Sequence, residues 1–469
     1  GGNYAAALMY EGNTTNDSLV GCVLTTGIST NYYFRAFDGM NMGGGNNENL
    51  VFQNNTFTGG SYGFYLQGDW SQFCMNLVIE NNTFDRSVYN FVYYSLNYKF
   101  NNNTIIGNNN SYYGMYFYNA WNTAPFAGTF EAKNNKITGQ TQGYGFYFDY
   151  PNGYNITPGS DRSIIANNAV SMSGTSNGYY AVYLNQPSNV DIISNSINVT
   201  NTNSSCYAMY INTYGYPYEN NVVKNNAFIN TGGGYAYYLG MYDGVSDYNN
   251  VYATGTNKFS GFYGTFNNFP AFRTALASNG WEQNSISYSP GFTSATDLRP
   301  DPTNAASWSL NGRGEQLANN TLDMDGNSRP VTLADGVPDI GAYEFEPTVA
   351  PPAAVATPAL AAPGVPQVFT FGHQKVATVR WNTAMALTTP LAVRQYSGRI
   401  PPANFTSISG GTHQYFYTDM IPSSVGTTYD FDLTLNYLDI WMGNMPSEPD
   451  MKLAHKYGAA PWISYNEAN

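Results

Sequence analysis

The residues best placed for chemistry in this 469-residue chain are three aspartates, whose carboxylates could act as acid and base if they came close together. Asp69, Asp149 and Asp243 each follow a tyrosine-rich segment, in LQGDW, YFDY and MYDG. Hydrolysis of a glycosidic bond needs two carboxylates roughly 5 to 9.5 Å apart, and elimination needs a base beside Ca²⁺-binding carboxylates. The equivalent places in intervening repeats are held by Asn119, Asn185 and Asn212. We therefore expect solvated turn carboxylates and predict no catalytic residue.

Basic and metal-ligating side chains are scarce. Residues 1–372 contain no histidine, and their lysines are Lys99, Lys133, Lys136, Lys224 and Lys258. The three histidines, His373, His413 and His455, lack the spacing of a metal site. The sequence therefore predicts no metal and no cofactor.

An asparagine doublet recurs through residues 1–250, each time after a short run of alternating apolar residues. It occurs in FQNNTF, IENNTF, FNNNTI, AKNNKI, IANNAV, VKNNAF and DYNNVY, and is reduced to one asparagine in ISNSI. The second asparagine returns every 21 to 33 residues, a period that fits one coil of a solenoid. Asparagine tolerates the left-handed backbone of a sharp corner, and amides on coils about 4.8 Å apart can hydrogen-bond along the axis. The predicted ladder consists of Asn55, Asn82, Asn103, Asn135, Asn168, Asn195, Asn226 and Asn250.

A second motif, Tyr-small-apolar-Tyr-apolar, follows these corners, for example in SYGFYL and GYGFYF. Because strand side chains alternate, we expect Tyr62, Phe64 and Leu66 on one face and the small residue and second tyrosine on the other. The segment 89–94 breaks the spacing and predicts a bulge. Rows of tyrosine and asparagine can stack on sugar rings and hydrogen-bond their hydroxyls. Candidate glycan contacts are Tyr62, Tyr113, Tyr144, Tyr180, Tyr207 and Tyr235.

This pattern, with two or three strands per coil, resembles the right-handed parallel β-helix of pectin-lyase-like proteins. The segments NGWEQNSISYSPGF, TDLRP, DMDGNSRP and PDIGAYEF are similar to the terminating coils of β-helix domains in large surface proteins that Gram-negative bacteria export by the type IX route. The resemblance covers residues 1–345 and implies an extracellular or cell-surface location. The DSL at 17–19 resembles an O-glycosylation motif of these secretion systems, which makes Ser18 a candidate acceptor. Within the terminating coils, 268–280 is the one good helix candidate, with Pro270 in its first turn.

The remainder of the chain predicts a second domain. Residues 346–367 form a Pro/Ala-rich stretch expected to be an extended, semi-rigid linker. Short alternating runs over 368–469 predict an antiparallel sandwich of immunoglobulin-like type. YDFDLTLNYLDIWM at 429–442 resembles a module near the C-termini of the same secreted proteins, where it continues for several more strands, so an incomplete sandwich is expected. The predicted fold is all-β.

Composition excludes several functional classes. The net charge of −13 argues against nucleic acid and anionic membranes, and the lack of 18 consecutive apolar residues predicts no membrane insertion. Only 10% of residues are charged while 16% are aromatic. The three cysteines, Cys22, Cys74 and Cys206, are expected to be buried free thiols. A start at Gly1 without methionine indicates a processed or partial chain.

Together these observations favour a non-enzymatic extracellular structural or adhesive protein, a subunit of a surface assembly or filament. The expected partners are further copies of itself or other cell-surface proteins, and polysaccharide. The alternatives are a polysaccharide lyase or glycoside hydrolase of the β-helix type, and a carbohydrate-binding module. Because exposed strand edges invite pairing, we expect the N-terminal segment or first coil to dock on a neighbouring subunit's second domain or terminal coils.

Overall fold

Short apolar runs separated by Asn, Gly and Ser corners form strands that pair in parallel with the equivalent run of the next repeat. The computed structural model describes residues 4–10, 13–40, 47–68, 73–91, 94–107, 112–118, 129–152, 161–175, 178–213, 220–382, 391–401, 413–422, 430–445, 447–451, 453–458 and 463–464. Its strands build a parallel β-helix followed by an antiparallel four-stranded sheet, so the predicted all-β fold is confirmed.

The strands of the β-helix are short because every coil turns at three corners. They are β1 Ala5–Met9, β2 Ser18–Val20, β3 Val23–Ile28, β4 Phe34–Met40, β5 Asn47–Glu48, β6 Val51–Gln53, β7 Thr56–Gly60, β8 Tyr62–Gln67, β9 Phe73–Met75, β10 Val78–Glu80, β11 Thr83–Phe84, β12 Ser87–Phe91, β13 Tyr94–Leu96, β14 Tyr98–Asn101, β15 Thr104–Ile106, β16 Tyr113–Tyr118, β17 Phe130–Lys133, β18 Lys136–Gln140, β19 Gly143–Asp149, β20 Ser163–Ala166, β21 Ala169–Met172, β22 Gly178–Asn185, β23 Val190–Ile193, β24 Ser196–Val199, β25 Tyr207–Asn212, β26 Asn221–Lys224, β27 Ala227–Asn230, β28 Tyr235–Gly240, β29 Gly244–Asp247, β30 Asn250–Ala253, β31 Phe259–Gly261 and β32 Gly264–Phe266.

Three long sheets run the length of the β-helix. The first sheet has the order β1-β4-β8-β12-β16-β19-β22-β25-β28-β31-β32, the second β2-β6-β10-β14-β17-β20-β23-β26-β29, and the third β3-β7-β11-β15-β18-β21-β24-β27-β30. A small sheet, β13-β9-β5, lies beside them. The inward side chains of the long sheets form one continuous apolar core, with members such as Phe64, Ile105 and Val182 almost fully buried.

The asparagine doublet forms the corner between the second and third sheets, and its two residues do different work. The first residue takes the left-handed backbone conformation, with φ of 56° at Asn54, 58° at Asn81 and 59° at Asn225. The second turns its amide into the protein and is almost fully buried at Asn55 and Asn82. The two tasks that the sequence pattern attributes to asparagine are therefore divided between the two members of the doublet.

The buried amides form a hydrogen-bonded ladder along the axis. In each step the backbone N–H and the side-chain Nδ2 of one asparagine both donate to Oδ1 of the asparagine on the next coil, at 2.9 to 3.2 Å. Nδ2 also donates to a backbone carbonyl of the preceding coil, at 2.7 to 3.0 Å. The ladder residues are Asn55, Asn82, Asn103, Asn135, Asn168, Asn195, Asn226 and Asn249.

The last ladder position corrects the sequence assignment, which placed it at Asn250. Tyr248 occupies the left-handed corner with φ of 56°, so the register of DYNNVY is displaced by one residue and Asn249 receives the bonds from Asn226. Asn250 instead starts β30 and contacts the terminal coils, accepting from the backbone N–H of Tyr288. The assignment was wrong because Tyr248, rather than the first asparagine of the doublet, occupies this corner.

The buried ladder has a direction and two distinct ends. At its N-terminal end Cys22, which offers no amide, donates only its backbone N–H to Asn55. At the other end Asn249 Nδ2 donates to the carboxyl of Glu282 at 3.2 and 3.4 Å, and its backbone N–H donates to Ser285 Oγ. A separate exposed ladder, Asn16–Asn49–Asn76–Asn97, donates in the opposite direction, toward the N-terminal coil.

A helix closes the C-terminal end of the core. Helix α1, Phe269–Ala275, begins after the capping Asn268, carries Pro270 in its first turn and is followed by a 3₁₀ turn ending at left-handed Gly280, so the predicted helix is confirmed. Its Phe269 and Phe272 pack on the last core residues. β31 and β32 pair antiparallel beside it, and the last coil therefore presents a covered end.

The segment after the helix runs back along the outside of the coils. Asn320 and the corner residue Asn167 exchange amide hydrogen bonds at 2.9 and 3.0 Å. Arg329 is 6% exposed, donates to Gly341 O and forms an ion pair with Glu344. The DMDGNSRP and PDIGAYEF segments thus hold the chain after the helix against the corner of the β-helix, and we call these two segments the clamp.

The C-terminal strands form an antiparallel layer that packs on this clamp. They are β33 Val355–Thr357, β34 Pro366–Phe371, β35 Gln374–Trp381, β36 Ala392–Ser397, β37 Phe416–Ile421, β38 Phe431–Leu435, β39 Ala454–His455 and β40 Ile463–Ser464. One sheet has the order β33-β34-β35-β38 and another pairs β36 with β37. Phe369, Val376 and Trp381 share a core with Ile229 of the β-helix and with Trp308.

One sequence expectation differs from this arrangement. The 346–367 segment, expected to be an extended linker, includes β33, which lies in the antiparallel sheet, and Ala354, which is buried against the shared core. The N-terminal segment forms β1, which pairs in parallel with β4 of its own β-helix, and its docking on a neighbouring subunit stays a prediction. A stretch rich in Ala, Val and Pro can form either an edge strand or a linker. Composition alone therefore does not distinguish these two structures.

The division of labour in the doublet can be tested on one corner. Replacing Asn82 by Ala removes three side-chain hydrogen bonds within the ladder and one to the Phe52 carbonyl and leaves buried groups unpaired, which is expected to lower the free energy of unfolding by about 1 to 3 kcal/mol. Replacing its neighbour Asn81 by Gly, which suits a left-handed backbone, is expected to change it by less than about 0.5 kcal/mol. Guanidinium unfolding with hydrogen exchange at β10 and β11 measures both, and equal losses would contradict the assignment.

The carboxyl that ends the ladder predicts a pH dependence. Burial raises the pKa of Glu282 from 4.5 to about 7, against hydrogen bonds from Ser246, Ser285 and Asn249. Because the folded-state pKa is the higher one, the contribution of Glu282 to stability is full below pH 4.5 and declines up to about pH 7, by about 3 kcal/mol at most. Hydrogen exchange of α1 and β30 should show protection falling over this range, and Glu282→Gln should flatten the profile. An unchanged profile in the variant would disprove the role.

Candidate functional site

The first sheet turns both tyrosines of each motif outward, which strict alternation forbids. Gly145 and Phe146 lie side by side in the buried interior of β19, whereas Tyr144 and Tyr147 are half-buried on the outside. The expected arrangement, with the second tyrosine opposite the first, is therefore wrong. Each strand carries one extra inward residue, and it is small because a Cβ at Gly145 would lie 2.4 Å from the carbonyl oxygen of Ala181.

The first tyrosines stack along the axis. Ring centroids are 5.3 Å apart between Tyr113 and Tyr144 and 4.4 Å apart between Tyr207 and Tyr235, with near-parallel planes. The row is interrupted after Tyr62, because the residue opposite it on β12 is Ser87, which has no ring. The register of the two strands also shifts between Ser87 and Val88, just before the predicted bulge at 89–94. The structure thus brings together five of the six candidate glycan contacts, Tyr113, Tyr144, Tyr180, Tyr207 and Tyr235.

The second tyrosines form a parallel row without interruption. Centroid separations are 4.8 Å for Tyr65–Tyr89 and 4.1 Å for Tyr210–Tyr238. The row consists of Tyr65, Tyr89, Tyr116, Tyr147, Tyr183, Tyr210 and Tyr238. Sequence reasoning placed these residues on the other face, although their constant offset of three from the first row was the signal that could have identified them.

We call the two rows and the residues at the ends of their strands the tyrosine face. Neighbouring rings stack on one another along each row, so these stacked ring faces are not free to contact a ligand. Burial raises the pKa of Tyr113 and Tyr183 to about 12, and that of Tyr147 further. The phenols are therefore neutral hydrogen-bonding groups at any physiological pH.

Charged residues stand at both ends of the tyrosine face. On β4, Arg35 and Asp38 pair with Tyr62 and Tyr65 in the positions that tyrosines hold elsewhere, and they form a buried ion pair of 2.8 Å. The Arg35 guanidinium lies 3.5 Å from the Tyr65 ring centroid. At the other end Lys258 Nζ lies 4.8 Å from the Tyr235 centroid. Such cation–π contacts stabilise the terminal rings, and single-sequence analysis did not identify them.

A polar strip follows the second tyrosine row. Asp149, Asn185 and Asn212 lie in register on β19, β22 and β25. Asn185 Nδ2 donates to Asp149 Oδ1 at 2.8 Å, and Asn212 Nδ2 donates to Asn185 Oδ1 at 3.3 Å. Burial raises the pKa of Asp149 to about 6, partly offset by the bond from Asn185.

The three aspartates considered for catalysis do not converge among the described residues. The neighbours of Asp149 in the strip are Tyr118 and Asn185, and neither is a second carboxylate. Asp243 lies beyond the end of β28 at an exposed position. Asp69 and Asn119 lie outside the described residues. The described arrangement can bind through hydroxyl and amide groups, but it lacks an acid paired with a base.

Other candidate sites remain isolated. Within the described ranges no three His, Cys, Asp or Glu residues converge on a metal position. Cys74 and Cys206 are buried and Cys22 is half-buried, and all are free thiols. Ser18 is exposed on β2, and its modification stays a prediction. No helix in the described part of the chain is long and apolar enough to cross a membrane.

Comparisons of the chain with known protein families, proteins and structures found no relative. No protein-family model matches the chain, and searches of curated proteins and of solved structures found no match. What the tyrosine face does must therefore be inferred from its own residues.

Proposed function

We propose that the chain is a non-enzymatic structural or adhesive protein of the cell exterior, and that the tyrosine face contacts a polysaccharide. The observation that carries the proposal is the face itself: two stacked tyrosine rows bordered by a polar strip, in which the one described carboxylate, Asp149, lacks a carboxylate partner. Tyrosines repeated along two rows, together with the amides of Asn185 and Asn212, suit a ligand that is itself a linear repeat.

The scaffold supports a mechanical role. Eight buried asparagines link the coils through paired hydrogen bonds, and the stacked rings add dispersion contacts along the same axis. Few ionisable groups interrupt these contacts, since 10% of residues are charged. A rod of this kind presents one long face at a fixed spacing, which is what an adhesive stalk requires.

We further propose location at the surface of a Gram-negative bacterium and export by the type IX route. Support comes from the terminating segments, whose Arg329, Asp339 and Glu344 form the clamp described above, and from the sequence resemblance of that region. The net charge of −13 agrees with an extracellular rather than a nucleic-acid-bound protein.

Self-association is the proposed route to an assembly. The C-terminal coil is covered by α1, whereas β2 and β3 of the first coil are edge strands, with Val20, Val23 and Ile28 exposed beside them. Edge strands accept strands from other chains. We therefore propose that the first coil, rather than the terminal coils, meets a neighbouring copy.

Glycan contact without turnover is tested by binding and product assays on the full chain. We expect retention on insoluble neutral polysaccharides and no release of reducing sugar or unsaturated uronides, with or without Ca²⁺. Replacing both Tyr180 and Tyr207 by Ala should weaken retention about 10-fold, since each ring contributes contact area. The matched control is Tyr457→Ala, which removes an exposed ring from the C-terminal region. Product release lost in Asp149→Asn would establish the enzyme alternative instead.

The assembly proposal has its own measurement. Sedimentation velocity and electron microscopy should show oligomers or filaments of the wild-type chain, and Val23→Lys should shift them toward monomer, because a charge on an edge strand opposes pairing. Thr296→Lys, an exposed position on the terminating coils, controls for added charge. Monodisperse rods of the wild-type chain at every concentration would refute self-association.

A further inference from the structure

Asp149 is an unusual residue for its position. Among the five strands β16, β19, β22, β25 and β28 it is the one charged residue. It is 8% exposed, and the hydrogen bond from Asn185 engages only its Oδ1. A buried carboxylate is normally paired with a cation or bound to a metal, so its counter-charge has to be accounted for.

Among the described residues, no cation pairs with Asp149. Arg35 stands four strands away along the first sheet, and Lys258 lies against Tyr235, three strands away on the other side. Asp149 thus faces neutral groups from both neighbouring strands.

Those neutral groups are aromatic. Tyr113 and Tyr116 of β16, Tyr147 of the same strand and Tyr183 of β22 all sense the Asp149 charge, and each has a raised pKa. The pKa of Asp149 is about 6, far below that of these tyrosines. Asp149 therefore ionises at a pH at which the tyrosines are still protonated. A carboxylate among neutral phenols is a favourable environment for an organic ammonium group, through its charge and through charge-assisted hydrogen bonds.

We propose that Asp149 is the recognition point for an amino group of an amine-bearing polysaccharide whose chain follows the tyrosine face. This rests on the proposed function and names its ligand class. The small exposed fraction of Asp149 admits one ammonium group rather than a whole sugar ring, and the remaining contacts fall to the repeated tyrosines and to Asn185 and Asn212. A lysine-rich protein is the competing occupant, and it lacks the repeat that the face presents.

The test uses the full chain and three soluble probes: oligosaccharides that carry a primary 6-amino group, which stays cationic over the pH range in which Asp149 titrates, N-acetylated oligosaccharides of equal length, and poly-lysine. Calorimetry should show the cationic oligosaccharide binding about 10- to 100-fold more tightly than the neutral one, as expected for a charge-assisted contact. The preference should rise with pH around a midpoint of about 6, because the carboxylate form binds.

Asp149→Asn should abolish the preference and its pH dependence. The matched control Asp243→Asn removes an exposed carboxylate elsewhere and should preserve both. Equal binding of cationic and neutral probes, unaffected by Asp149→Asn, would overturn the inference and leave glycan binding standing. Binding of neither oligosaccharide would overturn both. Tighter binding of poly-lysine than of the cationic oligosaccharide would overturn the inference in favour of a protein partner.

Discussion

The buried asparagine ladder is the constraint on which the rest of the structure depends. Each coil must turn sharply between the second and third sheets, and a sharp turn leaves backbone groups that cannot reach water. The ladder amide pairs these groups. Its Oδ1 accepts hydrogen bonds from the asparagine of the preceding coil, and its Nδ2 donates to the asparagine of the following coil and to a backbone carbonyl of the preceding coil. Fixing this corner fixes the register of the strands on either side, and the register in turn aligns the tyrosines.

The fold was predictable because the repeat is carried by residues with few alternatives. An asparagine corner, an apolar run and a tyrosine pair recur along the coils, and this repeat predicted the β-helix. Alternating runs and helix-capping signals predicted the antiparallel region and helix α1. The ladder assignment failed at one position because Tyr248 adopts the left-handed conformation without being asparagine. The orientation of the second tyrosines failed because alternation assumes a regular strand, and the small residue before Phe146 marks an irregular one.

The terminating segments and the C-terminal sheets cover one part of the outer surface of the coils and leave another part exposed. The outward side chains are smaller in the covered part. Positions such as Ala169 and Ala227 face the clamp and the C-terminal sheets, whereas the equivalent Thr56 and Thr83 lie on uncovered coils. Tertiary contacts of this kind join residues far apart in sequence, which explains why the 346–367 stretch suggested a linker. The tyrosine face lies on a different sheet from this cover, so packing of the C-terminal region leaves it available.

The two ends of the ladder also limit how such a chain can change in length. Every interior coil offers the same acceptor to the coil before it and the same donors to the coil after it, so a duplicated coil would fit between any two of them without new chemistry. The first and last coils are not interchangeable in this way, because Cys22 has no side-chain amide and because Asn249 meets the carboxyl of Glu282 instead of another ladder amide. Rods of different length built on this plan should therefore vary in the number of middle coils and keep their two ends.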